Sequence, residues 1–358
     1  MHRARDRRTA GRTVTCAGVA VLVLAAAAPA AAGDDETAAA AKVIGPLVGD
    51  DACANCHALE IEAWQQTRHF ATFKDRHRSD RAKEILGNVG ERSMKRSSAC
   101  RQCHYTSVLK ADKLRASWGV TCESCHGPAR DWNAVHNKPG GDASAEALVW
   151  GHGKDEAAAA RRTRLDAAAA KGMLHSDKLY DIASNCFGCH TVPNEALVNK
   201  GKHKAGSEFE LVAWSQGEIR HNFASSDGAP DSPSNRPATA ERKRRMYVVG
   251  AVVDLERSVR NLASVAEPGG AFHTAMIERV NTARARLAQV LDKVELAELA
   301  PAVKAIPATV DADTKLGAEL ADALGAAGRK FAAGRDGSGL AAIDSLLPTE
   351  MRGEVHQP

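Results

Sequence analysis

The last third of the chain carries a regular helical pattern of apolar positions. In three stretches apolar residues return every third or fourth position, which is the spacing of one face of an α-helix. These positions are Val248, Val252, Leu255, Val259 and Leu262, then Met276, Val280, Ala283, Leu287 and Val290, and finally Leu316, Leu320, Ala323 and Ala327. We therefore predict a bundle of three or four helices. It could be a self-contained accessory, a docking arm or a surface for homo-oligomer formation.

The apolar pattern is weaker between residues 51 and 225. Periodic apolar segments are short there, and aromatic residues make up 4% of the whole chain, so side chains alone would build only a small core. The segments around Trp64 and Leu211 have helical spacing, whereas strand patterns are sparse. The sequence thus predicts a mainly α fold with long loops and little regular sheet, followed by the C-terminal helical bundle.

Two stretches without a periodic pattern divide the chain. Residues 33–50 have the character of an entry linker. Residues 226–237 are rich in proline, serine and aspartate, which is typical of a linker between domains. We therefore predict one domain over residues 51–225 and a second, helical domain over residues 238–358.

The first 32 residues have the pattern of a secretory signal peptide. Five arginines precede or flank an apolar stretch at residues 14–28, and Ala30-Ala31-Ala32 offers a cleavage site before Gly33. The apolar stretch is short for a bilayer span. We expect cleavage after residue 32, export to the bacterial periplasm, and no membrane span in the mature chain.

The charge balance argues against a nucleic-acid partner. Without the signal peptide the chain has 43 basic and 43 acidic residues, so its apparent basicity belongs to the signal. Proteins that bind nucleic acids present a strongly basic surface. Docking of any partner to this chain must therefore depend on local patches of charge.

One motif, C-x-x-C-H, occurs four times in the central region. It is the attachment signature of c-type haem, in which two thiols bond to the vinyl groups and the histidine binds the iron. Residues i, i+3 and i+4 share one face of a helical turn, so one turn can address one macrocycle. The motif residues are Cys53, Cys56 and His57; Cys100, Cys103 and His104; Cys122, Cys125 and His126; and Cys186, Cys189 and His190. We predict four covalently bound haem c groups, which would also supply the missing apolar surface.

The cysteines also allow two other interpretations. The spacing between Cys103 and Cys122 fits a zinc ribbon, and eight cysteines in an exported chain could form a disulfide framework. Neither alternative explains why a histidine follows the second cysteine in all four motifs. Covalent haem is therefore the preferred interpretation.

A second axial histidine decides whether a haem iron is a closed electron carrier or can bind another molecule. The remaining histidines of this region are His69, His77, His136, His152, His175, His203 and His221. The leading candidates are His69, His136 and His221, because each follows a tryptophan suited to pack on a haem. His203 lies in a basic loop and is either a fourth ligand or an exposed residue. His175 is a further candidate, whereas His77 and His152 have polar surroundings typical of a surface.

Residues 51–225 resemble the cytochrome c-554 family of periplasmic tetrahaem cytochromes. The likeness is carried by the segment Gly119-Val-Thr-Cys-Glu-Ser-Cys-His-Gly-Pro128, by Trp64 to His69, and by the order of the four motifs. It implies a mostly helical fold with stacked haem pairs. It also implies electron transfer, in the type member from hydroxylamine oxidoreductase onward to the quinone or cytochrome pool.

The resemblance also implies a pairing of the axial ligands. His136 would cap the iron bound by His57, His221 the iron bound by His126, and His69 the iron bound by His190. The iron bound by His104 would be five-coordinate. His203 departs from the family's pattern and leaves that open position in question.

The leading functional hypothesis is a periplasmic protein that transfers electrons between redox protein partners, without being an enzyme. The alternative is a haem enzyme that reduces a small nitrogen or sulfur oxide at the iron bound by His104, although no acid/base set stands out beside it. A ligand sensor with the C-terminal bundle as its transmitter is a third hypothesis.

Overall fold

A computed structural model of the chain shows a mainly helical protein with one small sheet, and so confirms the predicted fold class. It describes residues 47–110, 113–142, 144, 146, 156–223 and 234–357. The predicted signal peptide, most of both predicted linkers and His152 lie outside the described residues. No helix in the described part of the chain is long and apolar enough to cross a membrane.

The region of the four motifs is built from short helices joined by loops. The helices are α1 (Asp50–Ala54), α2 (Ala58–Gln65), α3 (Arg68–Ala71), α4 (Asp80–Asn88), α5 (Ser98–His104), α6 (Cys122–His126), α7 (Asn133–His136), α8 (Ala158–Ala170), α9 (Leu179–His190), α10 (Glu195–Asn199) and α11 (Leu211–Ser215). Two 3₁₀ turns, Arg76–Arg78 and Pro139–Gly141, lie between them. The helical segments predicted around Trp64 and Leu211 are α2 and α11.

The one sheet in the described part of the chain is a hairpin between the second and third motifs. Strand β1 (Thr106–Lys110) pairs antiparallel with β2 (Lys113–Trp118), and a bulge interrupts the register next to Thr106. The Thr106 hydroxyl donates to the carbonyl of Gly119 at 2.8 Å and lies 2.5 Å from the Ser124 hydroxyl. These contacts fix the base of the hairpin against the third motif.

Two long helices carry the first two predicted apolar stripes. The C-terminal elements are α12 (Ala240–Ala263), α13 (Ala271–Lys293), α14 (Ala300–Lys304), α15 (Ala318–Gly334) and the 3₁₀ segment Ser338–Leu346. Every predicted stripe position on α12 and α13 is buried. The third predicted stripe is confirmed only in part: Leu316 is buried although it precedes α15, Leu320 and Ala327 pack against the core, and Ala323 is exposed. The stripe that α15 buries includes Leu324 and Phe331, whose larger side chains fill the interface.

The two predicted parts of the chain share one hydrophobic core. Helix α12 is buried on nearly all sides and contacts α9 and α11 as well as the C-terminal helices. At Gly250 of α12 a Cβ atom would lie 2.8 Å from the Cβ atom of Leu211, so the glycine permits this close approach. C-terminal helices thus pack directly on α9, the helix that ends in the fourth motif. The domain boundary at residues 226–237 stays a prediction.

Candidate haem-binding sites

Each motif lies on a helical turn, or at the end of one, that the local sequence stabilises. Three of the motifs end α5, α6 and α9 at their histidines, and the first runs from α1 to the start of α2. The Ser97 hydroxyl accepts from the amide of Cys100 and caps α5. Thr121 and Ser124 form a reciprocal capping box at the start of α6. The described geometry therefore places the cysteines and histidine of each motif close together.

A buried carboxylate ties the first and third motifs to each other. Glu123 is 4% exposed. Its Oε1 accepts from the amides of Val48 at 3.0 Å and Ala129 at 2.8 Å, and its Oε2 accepts from the amide of Gly49 at 3.0 Å. Sequence reasoning did not single out Glu123. The only available signal was its place inside the segment that carries the family resemblance.

Three motif histidines each face a distant histidine. The ring centres are 6.4 Å apart for His57 and His136, 6.1 Å for His69 and His190, and 6.1 Å for His126 and His221. Imidazole nitrogens bind transition metals at about 2 Å and lie about 1 Å from the ring centre, so two ligands on opposite sides of one iron have ring centres about 6 Å apart. The residues present therefore fit three irons with two imidazole ligands each.

Hydrogen bonds orient several of these rings. The Nδ1 atoms of His126, His136 and His221 each lie within 3.0 Å of a backbone carbonyl, those of Leu174, Asn133 and Ile219 respectively. The Nδ1 atom of His190 lies 2.9 Å from the Ser207 hydroxyl. A metal-binding histidine commonly donates its other ring N–H in this way. The arrangement leaves Nε2 as the nitrogen available to an iron.

Burial keeps most of these imidazoles neutral, which is the form that binds metal. Burial lowers the pKa of both His126 and His190 to about 4. It also lowers the pKa of His69 and of His136. His57 differs, because the Glu60 carboxylate, whose Oε2 lies 3.7 Å from Nδ1 of the ring, raises its pKa.

A salt bridge supports the end of α7, where His136 lies. Arg164 donates from Nε to Glu156 Oε1 at 3.0 Å and from Nη2 to Oε2 at 2.7 Å, and it also donates to the carbonyl of His136. The Arg164 hydrogen bond holds the pKa of Glu156 below its usual range. The Glu156 side chain is 2% exposed. The pair therefore joins α8 to the end of α7 at a buried position.

The histidine of the second motif has different surroundings. Among the described residues no second histidine ring faces His104 in the way of the three pairs. Burial lowers its pKa to about 4, and the charges of Arg76 and His203 act in the same direction. The His203 ring is held near its own loop by the carbonyl of Lys204 at 2.8 Å. His203 thus lies in the neighbourhood of His104 without forming a ring pair with it.

The other candidate histidines have local partners. His175 accepts from the amide of Asp177 at 3.1 Å, and His77 lies in the 3₁₀ turn Arg76–Arg78. Of the tryptophans that precede the candidate ligands, Trp132 packs edge-on against His136 with ring centres 5.1 Å apart. Trp64 donates to the carbonyl of Val120 at 2.9 Å. These two aromatic residues brace the loops around the ring pairs.

The motifs adjoin in an order that differs from their order along the chain. Cys53 and Cys122 lie close enough for each thiol to shift the pKa of the other. The thiol of Cys189 donates to the carbonyl of Gln102 in the second motif at 3.7 Å. Asn185 of α9 donates to the carbonyl of Ser124 at 2.7 Å and joins the fourth motif to the third. All eight described cysteines are free. The motifs therefore adjoin in the order first, third, fourth, second, and the two ribbon-spaced cysteine pairs do not face each other.

The C-x-x-C-H turns, with a further histidine opposite three of their own histidines, define a class of protein. This class is the c-type cytochromes, in which covalently attached haem holds the iron. Residues 52–127 match the family described as cytochrome c554 and c-prime. This segment is similar to the cytochrome c-554 family.

The similarity to a curated relative covers part of both chains. Cytochrome c-554 of Nitrosomonas europaea is 27% identical over 105 residues, which make up 26% of this chain and 44% of that protein. The chain therefore matches less than half the length of this relative. No solved structure matches the chain.

Proposed function

We propose that this chain is a periplasmic tetrahaem c-type cytochrome that transfers electrons between redox protein partners. The observation that carries the proposal is the opposition of three motif histidines to three distant histidines at 6.1–6.4 Å. An iron with two imidazole ligands is a closed electron carrier, because no coordination position is left for another molecule. The periplasmic location rests on the predicted signal peptide.

In this proposal each motif holds one haem through its two cysteines and its histidine. The second ligands are His136 for the first motif, His221 for the third and His69 for the fourth. When bound, each haem supplies a one-electron iron couple. The chain supplies the imidazoles, four of which are oriented by hydrogen bonds through Nδ1.

The order of the sites supports electron transfer. The motif of His57 adjoins that of His126, which adjoins that of His190, which adjoins that of His104. Four adjoining one-electron sites form a continuous series with two ends. One end lies at the first motif and the other at the second.

The end at the second motif has the surface of a docking site for an acidic partner. Residues 68–118 contain 13 lysines and arginines against five aspartates and glutamates, although the chain without its signal peptide is balanced. The hairpin that follows His104 exposes Leu109 and Trp118 within this basic region. Exposed apolar anchors with a charged rim are typical of transient protein interfaces.

One observation favours the alternative of a haem enzyme. Within the described residues His104 has no ring partner, so its iron could keep an open position, and the charge of Arg76 nearby would attract a small oxyanion. His203, and His152 outside the described residues, are the histidines that would close this position. The alternative is therefore confined to one site.

Haem content and spin state test the proposal. We expect four thioether-bound haems per chain by the pyridine haemochrome assay and mass spectrometry, and low-spin signals from at least three of them in electron paramagnetic resonance. His221→Ala should convert one low-spin haem to high-spin because it removes a ligand. His175→Ala is the matched control and should leave every signal unchanged.

The same spectra decide the state of the His104 site. If His203→Ala converts a low-spin haem to high-spin, His203 is the fourth second ligand. A high-spin signal in the unmodified protein, together with binding of cyanide or nitric oxide, would favour the enzyme. An unmodified protein without thioether-bound haem, or an unchanged spectrum in His221→Ala, would contradict the electron-transfer proposal itself.

A further inference from the structure

Ser207 holds the fourth motif's histidine by three contacts. The Nδ1 atom of His190 lies 2.9 Å from the Ser207 hydroxyl, and the hydroxyl donates to the His190 carbonyl at 3.4 Å. The backbone amide of Ser207 also donates to that carbonyl at 2.9 Å. Because the hydroxyl proton is directed to the carbonyl, the oxygen lone pair accepts from the ring N–H.

A buried arginine of the C-terminal helices contacts the same serine. Arg279 of α13 donates from Nη1 to the Ser207 carbonyl at 3.0 Å and from Nε to Asp254 of α12 at 2.6 Å. The Arg279 side chain is 14% exposed. Gly206 makes room for it, since a Cβ atom there would lie 2.7 Å from Nη1. The charge of Arg279 also acts on the His190 ring and lowers its pKa, after burial and the charge of His69.

We propose that Ser207 and Arg279 set the reduction potential of the haem bound by His190, and that the C-terminal helices α12 and α13 serve as the tuning element for this site. The inference rests on the proposed function, because it requires a haem at the fourth motif. It assigns a role to a part of the chain that lies outside the segment matched to the cytochrome c-554 family. Ser207 acts through His190 and is a positioning residue, whereas Arg279 acts through its charge.

The two residues act with opposite signs. The oxidised iron carries one more positive charge than the reduced iron, so the fixed charge of Arg279 favours the reduced state and raises the potential. A hydrogen bond from the ring N–H to Ser207 makes the imidazole a more basic ligand, which favours the oxidised state and lowers the potential. Opposite signs distinguish this role from a general loss of structure.

Potentiometric titration of the holoprotein tests the inference. A unit charge acting across about 10 Å of protein changes a one-electron equilibrium roughly tenfold, and tenfold corresponds to about 59 mV. In Arg279→Gln we expect one of the midpoint potentials to fall by about this amount while the others stay unchanged. Arg279→Lys keeps the charge and should largely retain the original potential.

Two further variants complete the design. Arg286 contacts the same Asp254 carboxylate at 3.8 Å but lies seven residues further along α13, so Arg286→Gln removes an equal charge and should give a clearly smaller shift. Ser207→Ala should raise the same potential that Arg279→Gln lowers. If Arg279→Gln does not retain its haems, the upward shift in Ser207→Ala and the preserved potential in Arg279→Lys remain decisive.

Several results would overturn the inference. These are unchanged potentials in Arg279→Gln, an equal fall in Arg279→Lys, or a downward shift in Ser207→Ala. Haem stoichiometry measured on the same samples separates this failure from that of the proposed function. Four covalent haems with unshifted potentials would refute only the tuning role, whereas an unmodified protein without covalent haem would refute the cytochrome proposal.

Discussion

The carboxylate of Glu123 offers the sharpest test of how the motif region is held together. In Glu123→Ala the amides of Val48, Gly49 and Ala129 lose their acceptor. A hydrogen bond to a charged group contributes about 1.5–3 kcal/mol. Ala129 is fully buried, whereas water can reach the other two amides. We therefore expect a loss of about 3 kcal/mol in the free energy of unfolding.

Glu123→Gln should be milder for a specific reason. The retained amide oxygen can take the place of Oε1 and still accept from Val48 and Ala129, and only the bond from Gly49 to Oε2 is lost. The expected loss is about 1 kcal/mol. Glu208→Ala is the matched control, because that carboxylate is 85% exposed and its ion pair with Lys204 contributes little.

Urea unfolding of the holoproteins, followed by circular dichroism and by the haem absorbance, gives the three values. The haem absorbance should respond most, because Glu123 fixes the turn of Cys122 to the entrance of α1, which carries Cys53. The expected order of stability is unmodified protein and Glu208→Ala, then Glu123→Gln, then Glu123→Ala. Equal losses in the two Glu123 variants, or no loss in Glu123→Ala, would refute the account of this anchor.

Two further predictions concern pH and packing. The pKa of Glu156 is lowered by Arg164, so the stabilisation by this pair is complete above the unfolded value of about 4.3 and disappears as the pH falls through the lower folded value. The urea midpoints of the unmodified protein and Glu156→Gln should therefore differ at neutral pH and converge in acid, once the pH lies below the folded pKa. A constant difference would contradict the assignment. Gly250→Ala should destabilise the protein by about 1–3 kcal/mol because its Cβ atom would meet Leu211. Gly87→Ala on α4 is the control, because its Cβ atom would meet nothing within 4 Å. It should stabilise the protein by up to about 1 kcal/mol. Equal effects of the two changes on the unfolding midpoint would show that the close approach of α12 and α11 does not matter.

Local patterns predicted the long helices well. The stripes from Val248 to Leu262 and from Met276 to Val290 are all buried, because helical periodicity is a property of the sequence itself. In the stripe near Leu316 the prediction failed at Ala323, which is exposed, because alanines dominate that stretch and several phases fit it equally. The hairpin was missed because Lys110, Lys113 and Arg115 interrupt the alternation that marks a strand.

The contacts between distant segments could not be read from spacing. Helix α12 buries Asp254 and Glu256 among its apolar residues. Charged residues normally mark an exposed helix face, so the sequence gave no sign that this face packs on the motif region. The four motifs followed directly from the sequence, because haem attachment fixes their spacing. The pairing of His126 with His221 joins residues far apart in the chain, and only the family resemblance suggested it beforehand.

Electron paramagnetic resonance of the oxidised holoprotein, with haem content measured on the same sample, tests the central claim most directly. Four covalent haems per chain are expected, with low-spin signals of two-imidazole irons accounting for at least three of them. One low-spin signal should be lost in each of the variants His69→Ala, His136→Ala and His221→Ala. Fewer than four covalent haems, or variants that keep every low-spin signal, would contradict the claim that these histidine pairs hold the irons of an electron-transfer protein.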